Sequence, residues 1–219
     1  MNKSILWLIS LLFVTSLSIV SCSETDGGED PYANWEERNQ RYIDSIATVA
    51  EANQGNEIGQ WKIIRSYKLP PLSLNETGKV NDYVYCKILA NGDGVTPLFT
   101  DTVEVNYRGK LIDKTVFDQS YTGELDPEVA VPSKMVLYGQ TSSGSTTSLI
   151  TGWQTALMNM KVGDRWDIYI PYELAYGTSG SGSILGYSTL IFDLDLVNVC
   201  PLKGTERSLL DSGEGIDIE

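Results

Sequence analysis

Alternation is the feature that most limits what this chain can become. Val103, Val105, Tyr107 and Leu111 alternate with Glu104, Asn106, Arg108 and Lys110, and Trp166, Ile168 and Ile170 with Arg165, Asp167 and Tyr169. Leu190, Phe192, Leu194 and Leu196 bracket Asp193 and Asp195 in the same way. A period of two sends apolar side chains to one face of a strand and polar ones to the other, the mark of half-buried antiparallel sheet. Residues 61–67 and 83–89, rich in β-branched and aromatic side chains, predict two further strands, and Asn91-Gly92-Asp93-Gly94 predicts a turn. Between the strands, Leu149, Ile150, Trp153, Ala156, Leu157 and Met160 share one helical face, with Lys161 and Gly163 closing it. Many antiparallel strands and one interior helix predict an α+β domain with the helix packed on one face of the sheet.

The segments before the strands differ in kind. Lys3 followed by an apolar run of about 16 residues, Ile5 to Val20, is shorter than the roughly 20 that span a bilayer and reads as an export signal. It ends Ile19-Val20-Ser21-Cys22, which resembles the lipobox of bacterial lipoproteins, in which the cysteine becomes the acylated N-terminus. That resemblance implies a lipid anchor on Cys22 and a place in the cell envelope, with the outer membrane as the expected site. Residues 22–30 are acidic and lack large apolar side chains, as expected of a flexible tether; an acidic run there is similar to the surface-export signal of some lipoproteins and equally to a plain solvated linker. Asp30-Pro31 is expected to open an amphipathic helix carrying Trp35, Tyr42, Ile43, Ile46, Val49 and Ala50 on one face, ended by Asn53 to Asn56. The expected organisation is therefore a signal peptide over 1–21, a tether over 22–30, a helix and lead-in strand over 31–77, a main domain over 78–202 and an acidic tail over 203–219.

Composition removes whole classes of chemistry. The 219 residues contain no histidine, so no Ser-His-Asp, Cys-His or HExxH site exists. The net charge of −13 argues against nucleic acid as a partner. No two acids stand at a motif spacing for glycoside hydrolysis. Cys22, Cys86 and Cys200 are too few for a disulfide framework or a zinc finger; a Cys86–Cys200 bond and two free thiols stay open alternatives. No cofactor or metal is expected.

Four stretches, in order, carry a family resemblance: Val103-x-Val105-x-Tyr107-x-Gly109 with Val116-Phe117-Asp118-x-Ser120; Leu149-Ile150-x-Gly152-Trp153-x-x-Ala156-Leu157; Ile170-Pro171-x-Glu173-Leu174-Ala175-Tyr176-Gly177; and Leu190-x-Phe192-Asp193-x-Asp195-Leu196. Together they resemble the FKBP-type peptidyl-prolyl isomerases. The resemblance implies a bent antiparallel sheet of five or six strands wrapped around one short helix, and proline-containing polypeptides as partners. It implies a pocket for a proline ring with Trp153 as floor, Tyr107, Phe117 and Phe192 as walls, Leu149 and Ile150 beside them, and polar contacts from Asp118 and Tyr176. Ile184 is expected to line the pocket from the flap. The chain departs from the family at Leu185-Gly186, where many members have Pro-Pro, and at Ser133 or Met135, where many carry a further aromatic. Two functions follow as expectations: a lipid-anchored isomerase that assists the folding of exported proteins, and a catalytically weak chaperone or binding module on the same fold.

Overall fold

The computed structural model describes residues 30–140 and 146–200. The expected signal peptide, Cys22 and the acidic tail lie outside the described residues. The described residues from Asn34 onward belong to one compact unit.

Helix α1 spans Trp35–Ala52. Asp30 and Pro31 do not open it, contrary to expectation. The Asp30 carboxylate accepts the Tyr32 N–H at 2.9 Å and its carbonyl accepts that of Ala33, so these residues close a turn instead. Asn34, at φ 53°, immediately precedes the helix, and Glu36 and Glu37 set negative charge against the positive end of its dipole. The buried stripe is Trp35, Asn39, Ile43, Ala47 and Ala50, whereas Val49 is half exposed.

Among the described residues nine strands follow: β1 (Trp61–Arg65), β2 (Tyr83–Ala90), β3 (Thr102–Lys110), β4 (Val116–Gln119), β5 (Ser133–Val136), β6 (Tyr138–Gln140), β7 (Thr146–Ser148), β8 (Arg165–Ile170) and β9 (Leu190–Cys200). Seven form one antiparallel sheet in the order β1-β2-β8-β9-β3-β4, with β5 also on β3. Register shifts at Ile88/Ala90, Glu104/Val105 and Gly109/Lys110 mark bulges, which increase local bend and twist. The remaining two strands pair as a hairpin, Tyr138 opposite Ser148. That stretch reads from sequence as a loop, because its Gly, Ser, Thr and Gln residues carry no hydrophobic alternation; backbone pairing alone makes it a ribbon.

Helix α2 is Thr151–Leu157, two residues shorter at its start than the apolar spacing predicts. The Leu149 N–H donates to the Leu137 carbonyl at 3.1 Å, which holds Leu149 in extended chain, and Ile150 at ψ 150° becomes the cap. At the other end, tighter bonds from Asn159 to Ala156 and from Met160 to Leu157 close the helix.

The sheet is covered on both sides where β1, β2 and β8 meet. Val84, Cys86, Ile88, Trp166, Ile168 and Ile170 point into the main core with Trp153, Ala156 and Leu157 of α2. Their alternates Tyr85 and Tyr169 join Trp61 under Ile43, Ala47 and Ala50 of α1. The N-terminal helix thus packs on the sheet itself, on the face opposite α2. Its first two turns are also bonded to the residues just before β9: Trp35 Nε1 donates to Ser188 Oγ at 2.9 Å, and the Thr189 N–H donates to Asn39 Oδ1 at 2.8 Å.

Beyond α1's cover the second face is polar. Arg165 donates twice to Asp193, at 2.8 and 2.6 Å, and the Tyr121 hydroxyl donates to the same carboxylate at 2.8 Å. Burial alone would raise the Asp193 carboxyl; the Arg165 and Tyr121 hydrogen bonds outweigh it and hold it below the usual range. Cys86 and Cys200 are free thiols. Cys86 sits in the row of Ile168 and Phe192, two strands from Cys200 and eight residues short of it along β9. At about 3.4 Å per residue that offset is far beyond disulfide reach.

Candidate active site

The site is built where α2 meets the concave face of the sheet. Gly152 sets the approach: a Cβ there would lie 2.3 Å from Ile170 Cγ2, so only glycine lets the helix sit this close to β8. The next residue, Trp153, then lies flat in the core with its indole bordering a cavity of about 180 Å³. Tyr107 meets the indole edge-on at 5.3 Å between centroids and Phe192 does so at 5.1 Å; Phe117 stands edge-on to Phe192 at 5.4 Å. These T-shaped contacts fix each ring by its neighbours. Gly109 makes room for the arrangement, since a Cβ at that position would come within 2.7 Å of both the Phe117 and Phe192 rings.

Ten residues line the cavity: Tyr107, Phe117, Asp118, Met135, Ser148, Leu149, Ile150, Trp153, Tyr176 and Phe192. Eight of them are the residues singled out from the sequence, contributed by β3, β4, the segment before α2, α2, the segment after β8, and β9. Ile184 is not among them. Its N–H donates to the Ser181 carbonyl in a tight turn, and its side chain is buried in the same core cluster as Tyr107, Trp153 and Phe192. Of the two residues expected where a further aromatic is common, Met135 lines the cavity and Ser133 is not among its lining residues. Ser148 had no signal in the sequence; only the β6–β7 pairing shows that it ends a strand beside Leu149.

The polar groups are few. The Tyr107 hydroxyl donates to Asp118 Oδ2 at 2.8 Å, which orients both. Tyr176 is 39% exposed at the rim. Trp153 Nε1 is buried without a hydrogen-bond partner. Burial, the hydrogen bond to Asp118 and that residue's charge push the Tyr107 phenol well above its ordinary range, and burial with the Asp118 charge raises Tyr176 too. The site offers shape, apolar surface and a few fixed dipoles, and no nucleophile–base pair. A larger cleft of about 630 Å³ lies among α1, residues 66–69, residues 79–82 and residues 173–174, but its lining carries charges of both signs, Asp44, Lys68, Lys79, Asp82 and Glu173, and no aromatic ring. The smaller cavity has the rings.

Buried phenols give the fold an alkaline limit. Tyr85 and Tyr169 are raised chiefly by burial, and Tyr121 is pushed up to about 12 by burial and its bond to Asp193. The folded state keeps these protons to higher pH than the unfolded chain, whose phenols titrate near pH ~10. Their contribution is therefore complete below that value and is lost as pH rises through the folded-state values. Thermal melts are expected to hold level up to pH ~9 and to fall steeply above pH ~10, in step with phenolate absorbance.

An antiparallel sheet holding a short helix, with an indole-floored and aromatic-walled pocket, defines a domain whose cavity has the size of a small ring and holds no nucleophile–base pair. Known proteins with a similar domain are peptidyl-prolyl isomerases. Residues 95–197 match the model of FKBP-type peptidyl-prolyl cis-trans isomerase. The chain is 40% identical over 114 residues both to the peptidyl-prolyl cis-trans isomerase Mip of Coxiella burnetii and to the FKBP-type 22 kDa peptidyl-prolyl cis-trans isomerase of Escherichia coli. Each match covers 52% of this chain, and 43% and 48% of those proteins respectively, so the chain spans about half the length of the curated relatives it matches. The crystal structure of a peptidyl-prolyl cis-trans isomerase from Pseudomonas syringae pv. tomato superposes with a TM-score of 0.50 at 25% identity, covering 75% of this chain and 96% of that one. Over residues 95–197, the chain is similar to the FKBP-type peptidyl-prolyl cis-trans isomerases.

Proposed function

We propose that this protein is a peptidyl-prolyl cis-trans isomerase that acts on exported polypeptides and is held in the bacterial envelope by lipid on Cys22. Residues 78–202 carry the catalytic part and 31–77 support it. The observation that carries the reading is the ring cradle: an indole floor with Tyr107 and Phe192 edge-on to it, around a cavity of about 180 Å³. An apolar cavity of about 150 Å³ accommodates benzene, so this one takes a pyrrolidine ring.

The reaction fits a site without a base. Rotation about an Xaa–Pro bond faces about 18–20 kcal/mol of amide resonance. Catalysis needs only tighter binding of the twisted amide than of the planar one, and a 10⁴-fold gain asks for about 5.4 kcal/mol of that preference. A twisted amide has a less dipolar carbonyl, so a dry, apolar cleft penalises it less than the planar form. Trp153 holds the ring while the N-terminal side turns. The Tyr176 hydroxyl and the Ile150 N–H hold the substrate backbone. Asp118 keeps Tyr107 in place through the 2.8 Å bond and transfers no proton.

A second reading, a catalytically weak chaperone or binding module on the same fold, is favoured by Leu185-Gly186 in the flap. One assay separates the two: cis–trans exchange of short Xaa–Pro peptides, alongside suppression of client aggregation. Exchange above the uncatalysed rate supports the isomerase. Background exchange with aggregation still suppressed leaves the binding module in its place.

A further inference from the structure

A row of three partly exposed rings begins beside the pocket and is not used by it. Tyr138 stacks on Phe99 at 4.8 Å and 22°, and Phe99 meets Tyr67 at 5.4 Å. Tyr138 is 41% exposed and Tyr67 37%, and Leu98 beside them is 55% exposed. Tyr138 lies directly opposite Ser148 in the β6–β7 hairpin. Residues opposed across an antiparallel pair share a face, with Cβ atoms about 4.5–5.5 Å apart. Ser148 lines the cavity, so the row starts one side chain from the pocket.

The row is also held rigid from below. The Tyr67 hydroxyl donates to Gln154 Oε1 at 2.6 Å, and Gln154 Nε2 donates to the Leu137 carbonyl at 2.8 Å. Gln154 is buried and follows the pocket's indole in α2. One amide therefore ties the loop carrying Tyr67, the residue before Tyr138 and the helix of the pocket floor. A surface ordered in this way loses little further entropy when something lands on it.

We infer that Tyr138, Phe99 and Tyr67 form a secondary subsite for the substrate polypeptide, selecting clients that carry an aromatic side chain a few residues from the proline. The inference rests on the isomerase reading for its occupant: a chain seated in the pocket has to leave it, and this row adjoins the cavity with no break. The two ring spacings together reach about 10 Å, roughly three residues of extended chain at about 3.4 Å each. An aromatic side chain spaced in that way stacks on the exposed faces of Tyr138 and Tyr67. Charge plays little part, so the preference is expected to persist at high salt, unlike one made by surface ions.

The test measures binding of labelled proline peptides to the full chain. The peptides differ only in carrying phenylalanine or alanine at successive positions either side of the proline. Wild-type protein is expected to prefer the best-placed phenylalanine peptide by about three- to tenfold, the size of a typical aromatic pair. Phe99→Ala and Tyr138→Ser are expected to bring that ratio close to one. If Phe99→Ala fails to fold by thermal melt, Tyr138→Ser, at an exposed position, decides alone. Equal binding of both peptides by wild type, or a preference that survives Tyr138→Ser, overturns the inference. A wild-type dimer dispersed by Tyr138→Ser, with no phenylalanine preference, assigns the row to a second copy of the chain and also overturns it. Exchange of the alanine peptide, measured in parallel, reports on the isomerase reading separately: its absence removes that reading while the binding ratio still judges the row.

Discussion

Replacing Trp153 with alanine is expected to lower kcat/KM on a short Xaa–Pro peptide by at least ~100-fold, about 2.7 kcal/mol of transition-state binding. The indole is 3% exposed and two other rings lean on it, so its removal strips the floor from the cavity and lets Tyr107 and Phe192 lose their shared contact. The same change costs stability, about 3–5 kcal/mol for a large buried aromatic. Rate and fold must therefore be separated. Trp153→Phe keeps a ring in the floor and is expected to fold with an intermediate rate. Tyr176→Phe removes one hydroxyl at the rim, leaves the melt unchanged, and is expected to cost about tenfold in rate. If all three variants exchange the peptide as fast as the unaltered protein does, the cradle is not the catalytic site.

Deleting the chain up to Asn53 is expected to be the most damaging change to stability that leaves the pocket residues intact. Without α1, Trp61, Tyr85 and Tyr169 lose the cover of Ile43, Ala47 and Ala50. The Trp35–Ser188 and Asn39–Thr189 bonds go with it. Burial of one isoleucine and two alanines, with two buried hydrogen bonds, amounts to as much as about 5 kcal/mol. Single domains hold only about 5–15 kcal/mol in total. The truncated chain is expected to unfold at much lower urea than the chain starting at Asp30, and to aggregate through the uncovered aromatic face. A matching midpoint would mean that α1 is an appendage. Asn39→Ala, which removes the bond to Thr189 and leaves the helix, is expected to cost about 1–3 kcal/mol.

These two variants touch the parts of the molecule that were most and least readable before its structure. Strands β3, β8 and β9 followed directly from alternation, since a one-residue error would turn every apolar side chain outward. The pocket residues were legible through motifs spread from Tyr107 to Phe192, although nothing in any single stretch says they meet. Several features depended on partners distant in sequence. Leu149 has the periodicity of a helical residue, but the Leu137 carbonyl claims its N–H and delays α2. The β6–β7 ribbon has no side-chain signal at all. Asp30-Pro31 has the composition of a helix start, yet its own turn bonds win and α1 begins at Trp35. Ile184 is apolar, but nothing local in the sequence shows the turn with Ser181 that sets it in one core with Tyr107, Trp153 and Phe192. Local preference was legible; competition for the same backbone group was not.

The plainness of the cavity has a pharmacological side. Among its ten lining residues there is no thiol and no amine, and the buried Cys86 thiol is driven far above its ordinary range by desolvation. Reagents that disable enzymes by acylating or alkylating them find little to seize there. If the cavity holds proline as proposed, inhibition has to come from occupancy: a compound must bring a compact ring of its own, rest it on the indole, and outcompete the proline by fit alone.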